Sequence, residues 1–255
     1  VPGKSVSVIV VGANYDSKWQ DKGSEGATVN GSGVAALLAL AEALHGKTLP
    51  DTVRLVFFGA EENGLNGSKA YVKALPANEI GRIKAMVNFD TIAGGDVLYI
   101  HSALNEPKEY DCADNASYTH DPKVRDRLLA LSGGSYQKHP AFPGYPEGET
   151  GGWSDHAGFA CLGIPIGYVE ATNFAIDGKD GYDGYSQTTN PAVWDCYDVN
   201  TKSACNHDDE TKWGKIWHTG FDRLGKLDEI FPGRVQKQIS DGTELTLKFL
   251  NDPGL

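Results

Sequence analysis

Two adjacent acids, Glu61 and Glu62, come just after a short apolar run rich in β-branched and aromatic residues. This run, within residues 52–59, predicts a strand that is buried on both faces, as in a parallel sheet under helices. Open α/β sheets place their ligands at the carboxyl ends of such strands. An isolated Glu-Glu pair is more often the solvated start of a helix, where acids suit the helix dipole. The surroundings of the pair must therefore decide between a site and a helix start.

Polar side chains also follow other predicted strands and occur in later loops. They are Asn14 and Asp16 after the first strand, Asp90 at the end of the third, and Asp155, His156 and His218 further along. Carboxylates and imidazoles that converge at one sheet edge are what a hydrolytic metal site needs. The sequence therefore favours a site over a simple helix start.

Predicted strands and helices alternate along the chain. The strands cover residues 5–12, 52–59, 85–90, 96–101 and 164–170, and helices are predicted after Asn30, over 68–75, after Pro122 and over 235–250. This alternation predicts an α/β fold: one domain with a twisted, mainly parallel sheet and helices on both faces.

Composition excludes several classes of partner. The net charge of −11 argues against nucleic acid and against an anionic membrane surface. No apolar run is long enough to cross a bilayer, so membrane insertion is not expected. The four cysteines allow three pairings if all are bridged. A Cys196–Cys205 disulfide would close a polar loop, and four free thiols are the alternative.

Four segments in this order carry a family resemblance: AEENGLNGSKAYV, KAMVNFDTIAG, WSDHAGF and WHTGFD. Together they resemble the di-zinc exopeptidases, a family that includes secreted bacterial aminopeptidases and glutamate carboxypeptidase. The family also includes inactive relatives, the transferrin receptor ectodomain and nicastrin. The resemblance extends over residues 5–228 and implies a zinc aminopeptidase-like fold with zinc as the family cofactor.

The resemblance implies roles for individual residues. Glu61 matches the catalytic carboxylate, the general base that takes a proton from the metal-bound water and passes it to the leaving amine. Glu62 and His218 match ligands of one zinc, and Asp90 matches a ligand of the other. Asp16 matches an acid that supports the first ligand, and Asp222 is expected to support His218 in the same way.

Other candidates are less sharply defined. Asp155 and His156 belong to a motif that lines the family pocket, and Glu170 either contacts a substrate amine or is a surface acid at a strand end. Three aromatic residues are expected to form a lid or rim or to serve as packing anchors: Phe142, Tyr145 and Trp153. Four further histidines are expected to be ordinary surface or loop residues: His101, His120, His139 and His207.

Three positions depart from the family pattern. Asn14 stands where the family has a histidine ligand, and Val29 stands where it has the aspartate that bridges both metals. Trp217 replaces a frequent tyrosine that donates to the oxyanion. Valine cannot bind a metal, and an Asn amide is a weak, uncharged zinc ligand. We therefore expect at most one metal ion, bound by Glu62, Asp90 and His218, or none.

Three functional hypotheses follow. The first is an inactive or strongly impaired pseudo-peptidase, whose acidic cleft binds a peptide or protein N-terminus or another cationic amine. The second is a single-metal aminopeptidase, and the third is an inactive variant of an active di-zinc parent. The family has more chain before its first metal-binding strand. Residues 1–255 are therefore expected to be one domain of a longer, extracellular or cell-surface precursor.

Overall fold

A six-stranded sheet runs through the middle of the computed structural model, which describes residues 1–113 and 115–255. The strand order is β2-β1-β3-β6-β4-β5. Within this sheet, neighbouring strands are parallel except for the antiparallel pair of β4 and β6. The strands are β1 (Val8–Asn14), β2 (Thr52–Phe58), β3 (Ile83–Phe89), β4 (Val97–Ala103), β5 (Glu149–Thr150) and β6 (Ile166–Thr172). The predicted mainly parallel sheet is confirmed.

Helices cover both faces of the sheet, as predicted. They are α1 (Gly31–Ala43), α2 (Asn66–Ala74), α3 (Ala77–Ile80), α4 (Lys123–Ser132), α5 (Ala157–Cys161), α6 (Leu224–Ile230) and α7 (Arg234–Asn251). In β1, Ile9 and Val11 point into a core with α1, α4 and α7, whereas Val8 and Val10 point into a second core with α2 and α5. The continuous apolar run of this strand follows from its burial on both sides.

The first strand begins three residues later and ends two residues later than predicted. It begins at Val8 and pairs with β2 through Asn14 and Phe58. Asn14 is therefore the last residue of the strand and is buried. Asn30 caps α1, since its Oδ1 accepts the N–H of Gly33 at 3.1 Å. The start of α1 is thereby fixed beside the end of β1.

Two disulfides pair the four cysteines, Cys112 with Cys161 and Cys196 with Cys205. The predicted bridge closes a loop that contains a small hairpin of β7 (Tyr197–Asp198) and β8 (Ser203–Ala204). The carboxylate of Glu210 fastens this loop by accepting four backbone N–H groups. They belong to Asp195 at 2.9 Å, Cys196 at 3.0 Å, Trp213 at 3.0 Å and Lys212 at 3.1 Å. Within the described residues, the helices are all too short or too polar to cross a membrane.

Candidate active site

A cavity of about 390 Å³ opens at the carboxyl edge of the sheet. Five acids line it: Glu61, Glu62, Asp90, Glu170 and Asp183. Seven aromatic side chains form much of its wall: Phe142, Tyr145, Trp153, Tyr168, Phe174, Tyr185 and Trp217. Val29, Lys18 and His218 also line it. Of the polar side chains expected to converge at this edge, Glu61, Glu62, Asp90 and His218 line the cavity, whereas Asn14, Asp16, Asp155 and His156 do not. Of the two alternatives for Phe142, Tyr145 and Trp153, their place in the lining favours a rim.

Asp16 supports the turn that presents the two glutamates. Its Oδ1 accepts the backbone N–H of Glu61 and its Oδ2 accepts that of Glu62, both at 3.1 Å. Ala60 has a φ of 54°, in the left-handed region that non-glycine residues seldom adopt. The two hydrogen bonds help to hold the turn in this shape and aim both carboxylates into the cavity.

Burial leaves several carboxyl groups reluctant to ionise. Burial, followed by the nearby charges of Asp90 and Glu62, raises the pKa of Glu61 to about 10. Burial likewise raises the pKa of Asp90 to about 7, although Asp90 Oδ2 accepts a hydrogen bond from Ser154 Oγ at 2.8 Å. A nearby positive charge would therefore stabilise the ionised forms of Glu61 and Asp90.

Glu62 contacts two other side chains that line the cavity. Its Oε2 lies 2.6 Å from Nζ of Lys18, and its Oε1 lies 3.2 Å from Nε2 of His218. Burial, and then the charge of Lys18, lowers the pKa of His218 to about 4, so the imidazole is neutral at pH 7. The ring of Trp19 meets that of His218 edge-on, with the ring centroids 5.3 Å apart.

Asn14 and Val29, two of the three residues that depart from the family pattern, have different surroundings in the structure. The amide of Asn14 is already engaged, because its Oδ1 accepts from Asn30 Nδ2 at 2.7 Å and its Nδ2 donates to the Asp16 carbonyl at 3.1 Å. Val29 lines the cavity and is 4 % exposed. Val29 therefore presents hydrocarbon to the cavity, at the position that the resemblance implies for the bridging aspartate.

Asp222 holds the loop that carries Val29. Its Oδ1 accepts the N–H of Thr28 at 2.6 Å and the Thr28 hydroxyl at 2.8 Å, and its Oδ2 lies 3.4 Å from the N–H of Val29 and from Ser24 Oγ. Among the described hydrogen bonds, those of Asp222 go to this loop and not to His218. The carboxylate of Asp222 therefore holds the Val29 loop, and its support of His218 stays a prediction.

Asp155 and His156 are fully buried and lie outside the set of residues that line the cavity. His156 Nε2 lies 2.9 Å from the carbonyl oxygen of Gly151, and burial lowers the pKa of His156 to about 4. Burial raises the pKa of Asp155 to about 7. Both residues are therefore behind the pocket wall, where they support it.

Glu170 faces the cavity rather than the outer surface, as one of its two alternatives required. Its Oε1 lies 2.7 Å from Nε2 of His101. The expectation that His101 and His139 are surface or loop histidines of the ordinary kind is wrong, because both are almost completely buried. Their rings lie 4.9 Å apart, and His139 stacks on Phe174, which lines the cavity. His120 and His207 are exposed, as predicted.

Lys18 is one of several lining residues that the sequence analysis missed; the others are Thr91, Tyr168, Phe174, Asp183, Gly184 and Tyr185. Lys18 lies in a polar, glycine-containing loop, and no local pattern predicts that its side chain turns toward Glu62. Across the described part of the chain, no three His, Cys, Asp or Glu side chains come together as a group able to hold a metal ion.

The sheet order, the buried glutamate pair and the convergent His and Asp side chains define an aminopeptidase-like α/β protein. The model of Peptidase family M28 matches residues 1–242, and the chain belongs to this family. The predicted family membership is confirmed.

Curated relatives are longer than this chain. The alkaline phosphatase isozyme conversion protein of Escherichia coli is 27% identical over 233 residues, covering 89% of this chain and 59% of the relative. Leupeptin-inactivating enzyme 1 of Streptomyces exfoliatus is 35% identical over 167 residues, covering 65% of this chain and 33% of the relative. The chain thus spans between about a third and three fifths of the length of these relatives.

Solved structures share the fold at low identity. BSAP, a zinc aminopeptidase from Bacillus subtilis, has a TM-score of 0.60 at 21% identity, over 96% of this chain and 47% of that one. A glutaminyl cyclase from an Acidobacteriales bacterium has a TM-score of 0.58 at 20% identity, over 99% and 72%. Identities this low establish the common α/β fold alone.

Proposed function

We propose that this chain is an M28 domain that lacks a working two-zinc centre and uses its acidic cavity to bind a cationic amine. The observation that carries the proposal is the state of the two altered ligand positions. The side-chain amide of Asn14 accepts a hydrogen bond from Asn30 and donates one to the Asp16 carbonyl, and Val29 presents only hydrocarbon to the cavity. The cavity keeps the acids of a peptidase but not the donors that hold two metals.

The donor set does not fit two zinc ions. Two catalytic metals lie about 3.5–4 Å apart, and a bridging anion makes that separation tolerable. Val29 supplies no such anion. Asn14 could reach a metal only by giving up the hydrogen bond to Asn30, which caps α1 and is itself 2 % exposed. The amide oxygen of Asn14 is a weak metal ligand, so binding a metal would not compensate for the lost hydrogen bond.

A cationic amine suits what remains. Glu61 is 9 % exposed among other acids, and a nearby ammonium would favour its ionised form. The aromatic wall offers apolar surface to the carbon chain that carries the amine. A peptide N-terminus or a lysine side chain has both parts. The ligand class follows from this combination of charge and apolar surface.

A single-metal aminopeptidase is the second candidate, and the contact between Glu62 and His218 favours it. One imidazole and two carboxylates, from His218, Glu62 and Asp90, form an acceptable catalytic zinc set. All three line the cavity. In this alternative Glu61 would remain the general base beside the metal.

The third candidate, an inactive variant of an active di-zinc parent, makes a prediction of its own. The double reversion Asn14→His and Val29→Asp would restore zinc binding and peptide hydrolysis if every other part of the site were intact. A double revertant without activity would show that the change extends beyond these two ligands. A zinc-binding but inactive revertant would point to Trp217 or the rim.

Metal content and turnover of the unaltered chain test the leading proposal. After incubation with zinc, native mass spectrometry should find no stoichiometric zinc, and a leucine anilide should not be hydrolysed. One zinc per chain, with turnover that Glu61→Gln abolishes, would contradict the proposal and establish the single-metal enzyme.

Amine binding is tested separately by calorimetry with leucinamide. N-acetyl-leucinamide is the matched control, because it keeps the side chain and loses the positive charge. We expect binding of leucinamide and none of the acetylated compound. Equal binding of both would show that charge does not determine recognition.

A further inference from the structure

Lys18 is the single Lys or Arg among the described residues that line the cavity, and it shares this lining with five acids. Its Nζ lies 2.6 Å from Oε2 of Glu62, within the range of a charge-assisted hydrogen bond. The Glu62 side chain is 8% exposed, so this contact is at the edge of the buried region and not in open solvent. An ammonium therefore already stands beside the remnant metal ligand.

The backbone around Lys18 is fastened on both sides. Asp16, two residues earlier, accepts the N–H groups of Glu61 and Glu62. Trp19, the next residue, has a left-handed φ of 62° and packs edge-on against His218. A non-glycine residue seldom keeps such a φ unless its surroundings impose it. Lys18 is thus held between the two parts of the site that its side chain joins.

We infer that Lys18 is the resident cation of this cavity: its ammonium takes the electrostatic place of a metal at Glu62 and His218 and excludes divalent cations from it. A second positive charge at Glu62 would lie within a few ångströms of Nζ, and like charges at that separation repel strongly in a partly buried site. Lys18 is then a third barrier to zinc, in addition to Asn14 and Val29. It is also a tethered competitor that a bound amine must displace.

This inference deepens the proposed function and rests on it, since it gives a physical reason for the acidic cavity to exclude zinc. It also reaches beyond the altered ligand positions, because it concerns a residue that matches no ligand position of the family. The reversions Asn14→His and Val29→Asp alone should leave Lys18 in contact with Glu62. Full zinc affinity should return only when this ammonium is also removed.

The test compares zinc affinity between variants of two lysines in the same loop. Lys18→Met and Lys22→Met change the net charge equally, but Lys22 is exposed and its Nζ lies 3.8 Å from the Trp19 ring centroid. Each variant is made in the unaltered chain and in the Asn14→His, Val29→Asp background. Zinc binding is measured by calorimetry and by native mass spectrometry, which do not depend on activity.

We expect Lys18→Met to raise zinc affinity at least tenfold over Lys22→Met in the double-reversion background, and in the same direction in the unaltered chain. Lys18→Arg, which keeps the charge, should leave zinc affinity unchanged. Equal affinity of the Lys18→Met and Lys22→Met variants in both backgrounds overturns the inference. So does a gain with Lys18→Arg equal to that with Lys18→Met, because charge would then not be the cause.

Failure of this inference is distinguishable from failure of the proposed function. Zinc and turnover in the unaltered chain would contradict the proposed function, whatever the lysine variants do. Equal zinc affinities of the two methionine variants would remove Lys18 as a barrier. The roles of Asn14 and Val29 would then stand as before.

Discussion

Two glutamates with nearly the same burial behave in opposite ways in this protein. Glu61 in the cavity is 9 % exposed and Glu210 in the disulfide-closed loop is 7 % exposed. Burial, with Asp90 and Glu62 nearby, raises the pKa of Glu61 to about 10. For Glu210 burial also acts upward, but the backbone N–H groups that it accepts hold its pKa below the usual value. Loss of solvent and nearby acids therefore dominate the pKa of Glu61, whereas the backbone donors outweigh burial at Glu210.

The comparison separates a binding site from a structural clasp. Four backbone N–H groups donate to the carboxylate of Glu210 and stabilise its negative charge. In return, Glu210 holds these four positions of the loop together. Glu61 is left with acidic neighbours, so its environment is favourable only when something positive arrives. A buried carboxyl group that lacks nearby donors or a cation is a candidate for a binding site. A carboxylate whose oxygens accept several backbone N–H groups has a structural role.

The largest expected effect comes from matched amide substitutions at the two positions. Glu210→Gln should lower the free energy of unfolding by about 3 kcal/mol, because the amide NH₂ group faces buried N–H donors and leaves them unpaired. The pKa of Glu61 is raised to about 10, so this carboxyl is protonated at pH 7 and Glu61→Gln removes no charge. The substitution should therefore change that free energy by less than about 0.5 kcal/mol. Urea unfolding of both variants measures the difference. Equal losses of stability would break the comparison.

The second expected effect concerns the disulfide beside Glu210. Replacing Cys196 and Cys205 by serine removes a bridge that closes a short loop, which should cost about 2.5 kcal/mol. Because the N–H of Cys196 donates to Glu210, the effects of the bridge and of Glu210→Gln should be less than additive. A double-mutant cycle by urea unfolding measures this coupling. Full additivity would mean that the bridge does not help to hold the donors around Glu210.

The smallest expected effect is in the pH dependence of stability. The pKa of Glu210 is lower in the folded chain than in the unfolded chain, so its stabilising effect is complete above the unfolded pKa of about 4.3. The effect is lost as the pH falls through the folded value, by about 1.4 kcal/mol per unit of pKa difference. The stability difference between the unaltered chain and Glu210→Gln should therefore be constant from pH 7 to 5 and shrink below pH 4.

Unfolding midpoints in urea at each pH test this expectation. The exposed Glu147→Gln variant provides the control for the loss of one negative charge. A difference for Glu210→Gln that stays constant down to pH 3, or that grows on acidification, would contradict the assigned environment of Glu210.

Local pattern predicts much of this fold. Apolar runs between polar, glycine-containing loops identify five of the sheet strands, and an acid just after a buried strand places Glu61, Glu62 and Asp90 at one edge. These features depend on neighbours in the sequence, so one sequence is enough to find them. The antiparallel placement of β4 beside β6 was not predicted, because alternation of elements does not specify which strand pairs with which.

Long-range contacts account for what the sequence could not provide. His101 is buried because β6 and the segment around Phe174 close over it, and neither is near it in sequence. Lys18 turns toward Glu62 because Asp16 and Trp19 fix the loop from two sides. The four donors to Glu210 come from both ends of a loop, and a disulfide, a hairpin and hydrogen bonds from Thr211 to Asp195 bring these ends together. Side-chain direction in such loops is decided by partners that local pattern does not reveal.

The hydrogen bonds of Asp222 also set the order in which the molecule can be assembled. They join residue 222 to Thr28, 194 positions earlier in the chain. Closing so long a segment is slow, because its entropy must be lost before the contact forms. During synthesis the sheet strands β1, β2, β3 and β4 emerge long before Asp222 does. The wall that carries Val29 therefore cannot be completed before residue 222 has been added, and the cavity takes its final shape only when most of the polypeptide is already in place.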